Sequence, residues 1–142
     1  MVTIGPLART SGTTVQTIRY YEQIGLMPAA DRSAGNQRLY GQAHIDRLVF
    51  IRHCRDMGFP LEAVRELLAL ADDPDHACAD ADRIARRHLA EVERKLATLG
   101  ALKTELQRMI AECGGGRIAD CRVIEVLSDH QHCLADDHGP SR

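Results

Sequence analysis

Residues 79–113 read ADADRIARRHLAEVERKLATLGALKTELQRMIAEC, and their spacing decides how the chain must be built. Leu89, Val92, Leu96, Leu99, Leu102 (or Lys103), Leu106, Met109 and Cys113 recur at alternating threes and fours, the seam of a coiled coil. Gly100 weakens the helix by about 1 kcal/mol relative to Ala, and no Pro interrupts it. A lone helix of this length cannot bury its stripe, and no other segment offers a comparable partner, so the pattern predicts a dimer. Cys78 precedes the stretch and Cys113 ends it. At 1.5 Å rise per residue, a continuous helix sets these thiols roughly 50 Å apart. Thiolates on one ion lie within about 4 Å, because a metal–sulfur bond is only about 2.3 Å. Cys78 and Cys113 can therefore share an ion only between two copies packed antiparallel, with Cys121 eight residues further on.

A chain of 142 residues holds one ordinary core, or two small ones joined by a helix. Apolar residues make up 44%, but aromatics only 4%, so the core must be built from Leu, Ile, Val and Ala, which favours helix. Five cysteines, without a long apolar run or a basic-then-apolar leader, suit a reducing cytoplasm and argue against a membrane span or a secreted disulfide framework. The thiols are then available for metal. The net charge of −2 hides an asymmetry: residues 1–58 hold seven Arg and no Lys against four acids, while the remainder carries 11 cations against 16 acids. A basic head on an acidic body suits a protein that touches polyanion at one end.

The head reads as a winged helix-turn-helix. Ile4, Leu7 and Ala8 predict a short helix broken at Ser11-Gly12. Thr13-Thr14-Val15-Gln16 reads as a capping box on Thr13, opening a second helix through Val15, Ile18 and Tyr21 to about Gln23. That helix would present Gln16, Thr17, Arg19 and Tyr20 to a major groove. Residues 28–40 (PAADRSAGNQRLY) form a β-wing turning at Gly35-Asn36, with Arg32 and Arg38 flanking the turn where they can meet phosphate. A third helix runs from about Gln42 to Met57 and carries Arg55 toward DNA and Cys54 into the core. A fourth starts beside Pro60. Tyr40 completes the expected DNA-contacting set.

The chain thus divides into a DNA-binding head at 1–72 and a linker and dimerisation helix at 73–113. A metal-binding loop and short helix follow at 114–133, then a tail at 134–142 expected to be disordered. The fold class is mainly α: a winged helix-turn-helix plus a long antiparallel coiled-coil helix. Cys78, Cys113 and Cys121 are the candidate metal ligands. His76 is a candidate fourth ligand, and His130, His132 and Cys133, near His138, form a candidate second site.

These pieces resemble the MerR family of transcriptional regulators: Thr17-Ile18-Arg19-Tyr20-Tyr21-Glu22 before Gly25-Leu26, Arg32-Ser33 with Gly35-Asn36, Arg38-Leu39-Tyr40, and a long helix with cysteines at both ends. The resemblance covers essentially the whole chain. It implies a homodimer on promoter DNA whose spacer is overlong, with an effector site beside the coiled-coil ends. Effector binding would bend and untwist the DNA so that RNA polymerase engages both promoter elements.

The cysteine pattern is similar to the branch that senses soft divalent ions, in which Cys78 matches a thiol at the start of the dimer helix. Cadmium, lead, zinc and mercury stay open as the ion, since soft sulfur selects soft metal. Zinc-type loops carry a further Cys and a His that this loop lacks, and mercury-type loops are slightly longer. Copper(I)-type members share the seven-residue gap between Cys113 and Cys121 but typically lack the first thiol. A thiol-based redox sensor is the other alternative, although an iron–sulfur cluster normally takes four close cysteines. No thiol has a base and an orienting group at recognisable spacing, so no enzyme is predicted.

Overall fold

The computed structural model describes residues 1–129, which fall into two compact units divided between Ile84 and Ala85. The candidate ligands His130, His132 and Cys133, and the tail at 134–142, lie outside the described residues.

In the first unit, α1 (Ile4–Ser11) and α2 (Val15–Gln23) form the helix-turn-helix. The wing consists of β1 (Asp31–Arg32) and β2 (Arg38–Leu39), antiparallel with Asp31 opposite Leu39 and Arg32 opposite Arg38. Two further helices follow, α3 (Gln42–Asp56) and α4 (Leu61–Ala71). One apolar stripe from each element meets in a single core containing Leu7, Ile18, Leu26, Tyr40, Leu48, Ile51, Val64 and Leu68. Cys54 lies in this core as expected, and burial pushes its thiol pKa up.

Gly12 makes the turn between α1 and α2 at φ +69°, a left-handed conformation that favours Gly. The cap of α2 sits one residue later than the spacing predicts. Thr14, not Thr13, is the N-cap, its hydroxyl accepting from the Thr17 amide at 3.1 Å and donating to the Thr17 hydroxyl at 2.8 Å. Thr13 instead spends its amide on the Ala8 carbonyl, closing α1. The wing turn is held by Ser33, whose amide donates to the Gln37 carbonyl and whose hydroxyl accepts from the Gln37 amide. Val2 bridges to Tyr40 through a reciprocal pair of backbone hydrogen bonds, adding a third segment beside the wing.

Helix α5 (Ala79–Glu112) runs 34 residues, fits a coiled-coil helix, and has no Pro to break it. Its stripe faces outward, with Leu89, Leu96, Leu99 and Leu106 each more than half exposed. In the second unit the chain turns after α5 through Gly115 (φ +79°) and Gly116 (φ +95°). A single 3-10 turn, Ile118–Asp120, leads into α6 (Arg122–Ser128), which buries Val126. Among the described residues no helix is long and apolar enough to cross a membrane.

Candidate nucleic-acid interface and thiol centre

Helix α2 and the wing converge on one cleft of about 450 Å³, lined by Arg19, Glu22, Gln23, Ala29, Ala30, Arg32 and Arg38. Three guanidinium groups around one opening suit a polyanion, because each can pair with a phosphate in bidentate fashion. Gln16 and Tyr20 are exposed on the same short helix, and Thr17 is half-buried beside its cap. Arg32 also donates to the Asn36 carbonyl at 3.0 Å, so one of its nitrogens holds the wing turn.

A second cleft of about 260 Å³ lies at the start of α2, lined by Gly12, Thr13, Thr14, Thr17, Tyr21, Arg52, Arg55 and Asp56. Arg55 donates to the Phe59 carbonyl at 2.7 Å, which helps close α3. Arg52, not among the arginines expected at DNA, joins Arg55 in this cleft.

Tyr40 is a correction. Expected to contact DNA, it is 0% exposed, since the core takes its ring and the Glu22 carboxylate accepts from its hydroxyl at 3.1 Å. Burial first, then the nearby Glu22 carboxylate, raises the phenol pKa. Its ring meets His44 edge-on, with centroids 5.2 Å apart. His44 is itself buried; its Nδ1 accepts from the Gly41 amide at 3.0 Å and its Nε2 faces the Ala29 carbonyl at 3.3 Å.

The thiols fall into both units. In the first, Cys78 is exposed beside a cleft of about 290 Å³ lined mainly by apolar residues, including Phe50, Leu67, Leu70 and Ala81. His76 is clamped by carboxylates at both ring nitrogens, Nε2 at 2.5 Å from Asp80 and Nδ1 at 3.4 Å from Asp73. The hydrogen bond to Asp80 leads in raising its pKa, so a metal at this ring would have to compete with that proton and with both carboxylates.

In the second unit, Cys113 directly follows α5, Cys121 caps α6, and their sulfurs approach to 3.9 Å. The amide of Ile124, then that of Val123 and the Cys113 thiol, lower the Cys121 pKa, as a helix start does for a thiolate. With zinc–sulfur bonds of about 2.3 Å, two thiolates on one zinc ion stand about 3.8–4.0 Å apart in tetrahedral or trigonal geometry, and about 4.6 Å apart when linear, with wider spacings for larger ions. The observed spacing fits the bent arrangements. Among the described residues, no three Cys, His, Asp or Glu side chains of one chain gather to hold a metal.

An ion-pair chain flanks these thiols. Arg122 Nε lies 2.5 Å from Glu112, Arg122 NH1 3.0 Å from Glu125, Arg108 NH1 3.3 Å from Glu112, and Arg108 NH2 2.6 Å from Glu105. Arg122 beside Glu112 holds that carboxyl below its usual range. Glu112 and Arg122 stand immediately outside the two cysteines in sequence, and it is the fold of the intervening glycine loop that brings them together.

The family model "MerR HTH family regulatory protein" matches residues 2–71, and the model "MerR, DNA binding" matches residues 45–109. Heavy metal-dependent transcription regulator 2 of Rhizobium meliloti is 40% identical over 126 residues, spanning 89% of this chain and 86% of the relative. This chain belongs to the MerR family. Solved MerR relatives share the architecture. The transcription regulator PbrR691 of Ralstonia metallidurans, in complex with lead(II), superposes with a TM-score of 0.79 at 38% identity, covering 89% of this chain and 99% of that one. The dual-function regulator MerR of Bacillus megaterium, in complex with mercury(II), gives a TM-score of 0.70 at 28% identity, covering 90% and 100%. Membership in the MerR family makes the winged helix-turn-helix a DNA-binding module of a transcriptional regulator.

Proposed function

We propose that this MerR-family chain is a metal-responsive regulator that binds promoter DNA as a homodimer and activates transcription when a soft divalent ion, cadmium, lead, zinc or mercury, is held by cysteine thiolates. The observation that carries the reading is the 3.9 Å approach of Cys113 and Cys121, with the Cys121 thiol already biased toward thiolate. The heavy metal-dependent relative and the lead(II) and mercury(II) complexes of solved relatives support it.

Cys113 and Cys121 would hold the ion together with Cys78 of the partner subunit. The bound ion would supply a link between thiolates of two subunits. The exposed leucine stripe of α5 supports pairing with a second copy, which would have to be antiparallel to bring the thiols together. The thiols release protons on ligation, so affinity rises with pH through their titration range. Arg19, Arg32 and Arg38, with Gln16, Thr17, Tyr20 and Arg55, would grip DNA, mainly through phosphate. Ligation can switch the promoter only if the activating arrangement binds the ion more tightly than the repressing one. Distorted DNA would then let RNA polymerase engage both promoter elements.

A thiol–disulfide switch is the second reading, favoured by the same proximity of two thiols. In-vitro transcription separates the two. A promoter recovered by selecting bound genomic fragments is transcribed under reducing conditions with cadmium, lead, zinc, mercury or copper(I). Activation by a soft divalent ion, lost in Cys113→Ser, Cys121→Ser and Cys78→Ser, is the expected result. Activation by oxidant alone overturns the metal reading, and copper(I) activation that survives Cys78→Ser moves the chain to a two-thiolate sensor.

A further inference from the structure

The loop that carries both candidate thiols of the second unit is closed by charge. Glu112 is the last residue of α5 and Arg122 the first of α6, ten positions apart, with Arg122 Nε 2.5 Å from the Glu112 carboxylate. Each lies next to a cysteine. Between them the chain passes through three consecutive glycines, two of them in left-handed conformations, so the loop backbone supplies little stiffness of its own.

The pair is braced on both sides. Arg108 donates to Glu112 one turn back on α5, and Arg122 reaches Glu125 one turn on in α6. Arg108 also pairs with Glu105, whose side chain is only 5% exposed, so the chain of charges is anchored in packed structure at one end. An isolated exposed ion pair contributes little, but a network with one buried end holds its geometry better.

We infer that Glu112 and Arg122 form a staple that positions the Cys113–Cys121 thiol pair for its ligand, so that these two residues set metal affinity without touching the ion. The inference rests on the reading of Cys113 and Cys121 as metal ligands. The physical reason is preorganisation: a flexible loop must surrender entropy to bring two thiols to 3.9 Å, whereas a stapled loop has already done so. Residues that orient metal ligands from outside typically change affinity by about 10–100-fold when replaced.

Charge alone makes a different prediction. A divalent ion with three thiolates carries a formal charge of about −1. A nearby carboxylate then opposes the complex and a nearby guanidinium favours it, so neutralising each should act in opposite directions. A staple needs both partners, and losing either should have the same effect.

The test uses the full-length purified protein and cadmium, titrated against a competing chelator and followed by thiolate–metal absorption. Glu112→Gln and Arg122→Gln should each weaken cadmium binding by about tenfold. The double variant should also lose about tenfold, not a hundredfold, because the second change removes nothing further. Arg122→Lys should fall between, since an ammonium cannot reach both Glu112 and Glu125 as a planar fork does.

A metal-free measurement guards against a general loss of structure. The equilibrium of the Cys113–Cys121 disulfide with dithiothreitol should shift toward the dithiol in each single variant, with helix content unchanged by circular dichroism. Unchanged affinities, opposite signs in the two single variants, or additive losses in the double overturn the staple. Cadmium binding that survives Cys121→Ser overturns the ligand assignment instead, so the two failures are distinguishable.

Discussion

The hydroxyl of Tyr40, at the end of the wing, donates to the carboxylate of Glu22, near the end of the recognition helix, across eighteen residues of sequence. With His44 packed edge-on against the same ring, the wing is fixed to α2 through the core and not merely through its connecting loop. The cleft of Arg19, Arg32 and Arg38 takes its shape from that attachment.

Tyr40→Phe should therefore cost about 1 kcal/mol at neutral pH, the net worth of one such hydrogen bond. The pH dependence is more specific. The fold raises the phenol pKa above its ordinary 10.0, which means the protonated form is favoured on folding. Its contribution is complete below about pH 10 and is lost as pH climbs through the folded value. Urea midpoints measured from pH 7 to 11 should fall less steeply at the alkaline end for Tyr40→Phe than for the unmodified protein. Parallel alkaline limbs would contradict the assignment.

Capping gives a sharper contrast between neighbours. Thr14→Ala should destabilise the protein by about 1 kcal/mol by leaving the Thr17 amide without its side-chain acceptor, whereas Thr13→Ala should change stability little. Thr14→Ser should restore most of the loss. Thermal melts of the three variants check the order, and equal losses for Thr13 and Thr14 would refute it.

The one-residue slip of this cap shows what a single sequence can and cannot specify. Two adjacent threonines both fit a cap pattern, and what decides between them is that the Thr13 amide is used by α1, a fact of the turn geometry. Elements with strong local signals were legible: the stripe and length of α5, the break at Gly12, and the wing turn before Arg38. Tyr40 is ambiguous in sequence because an aromatic two positions after Arg38 looks the same whether it points inward or outward. Its burial depends on Glu22 and His44 arriving from other elements. The thiols could be named from spacing, but the Glu112–Arg122 pair could not, since the glycine loop that brings them together has no periodic pattern to read.

Gly12 tests two causes of strain separately. A Cβ there would overlap an Arg52 nitrogen, and the backbone is at φ +69°. The arginine tip can move aside, but the left-handed backbone cannot be relieved that way. Gly12→Ala should cost about 1–2 kcal/mol, and the same substitution in an Arg52→Ala background about 1 kcal/mol, the part due to conformation. Chemical denaturation of the four proteins in this cycle measures both, and a full rescue by Arg52→Ala would assign the whole cost to the clash.

The leucine stripe should govern assembly. Leu96 and Leu99 are 63% and 61% exposed on α5, and charged side chains there would have to be desolvated against a partner helix. Leu96→Glu with Leu99→Glu should shift the protein from dimer toward monomer in sedimentation velocity at micromolar concentration. The head should retain its helix content. An unshifted sedimentation profile would remove this face from the dimer interface.

Salt dependence separates arginines that meet phosphate from those that build the fold. Each phosphate contact releases counterions and contributes about 0.9 to the slope of log affinity against log salt. Arg19→Ala and Arg38→Ala, at the cleft shared by α2 and the wing, should each reduce that slope by about one while weakening binding at low salt. Arg47 is the control: its Nε donates to the Leu26 carbonyl at 2.8 Å and its NH1 pairs with Asp72 at 3.2 Å, so it is committed to structure. Arg47→Ala should lower the unfolding midpoint and leave the slope unchanged. Fluorescence anisotropy of labelled promoter DNA across 50–300 mM salt, roughly the range over which such contacts lose most of their strength, reads the slopes directly. A full slope retained by both Arg19→Ala and Arg38→Ala would show that this cleft does not lie on the phosphate backbone.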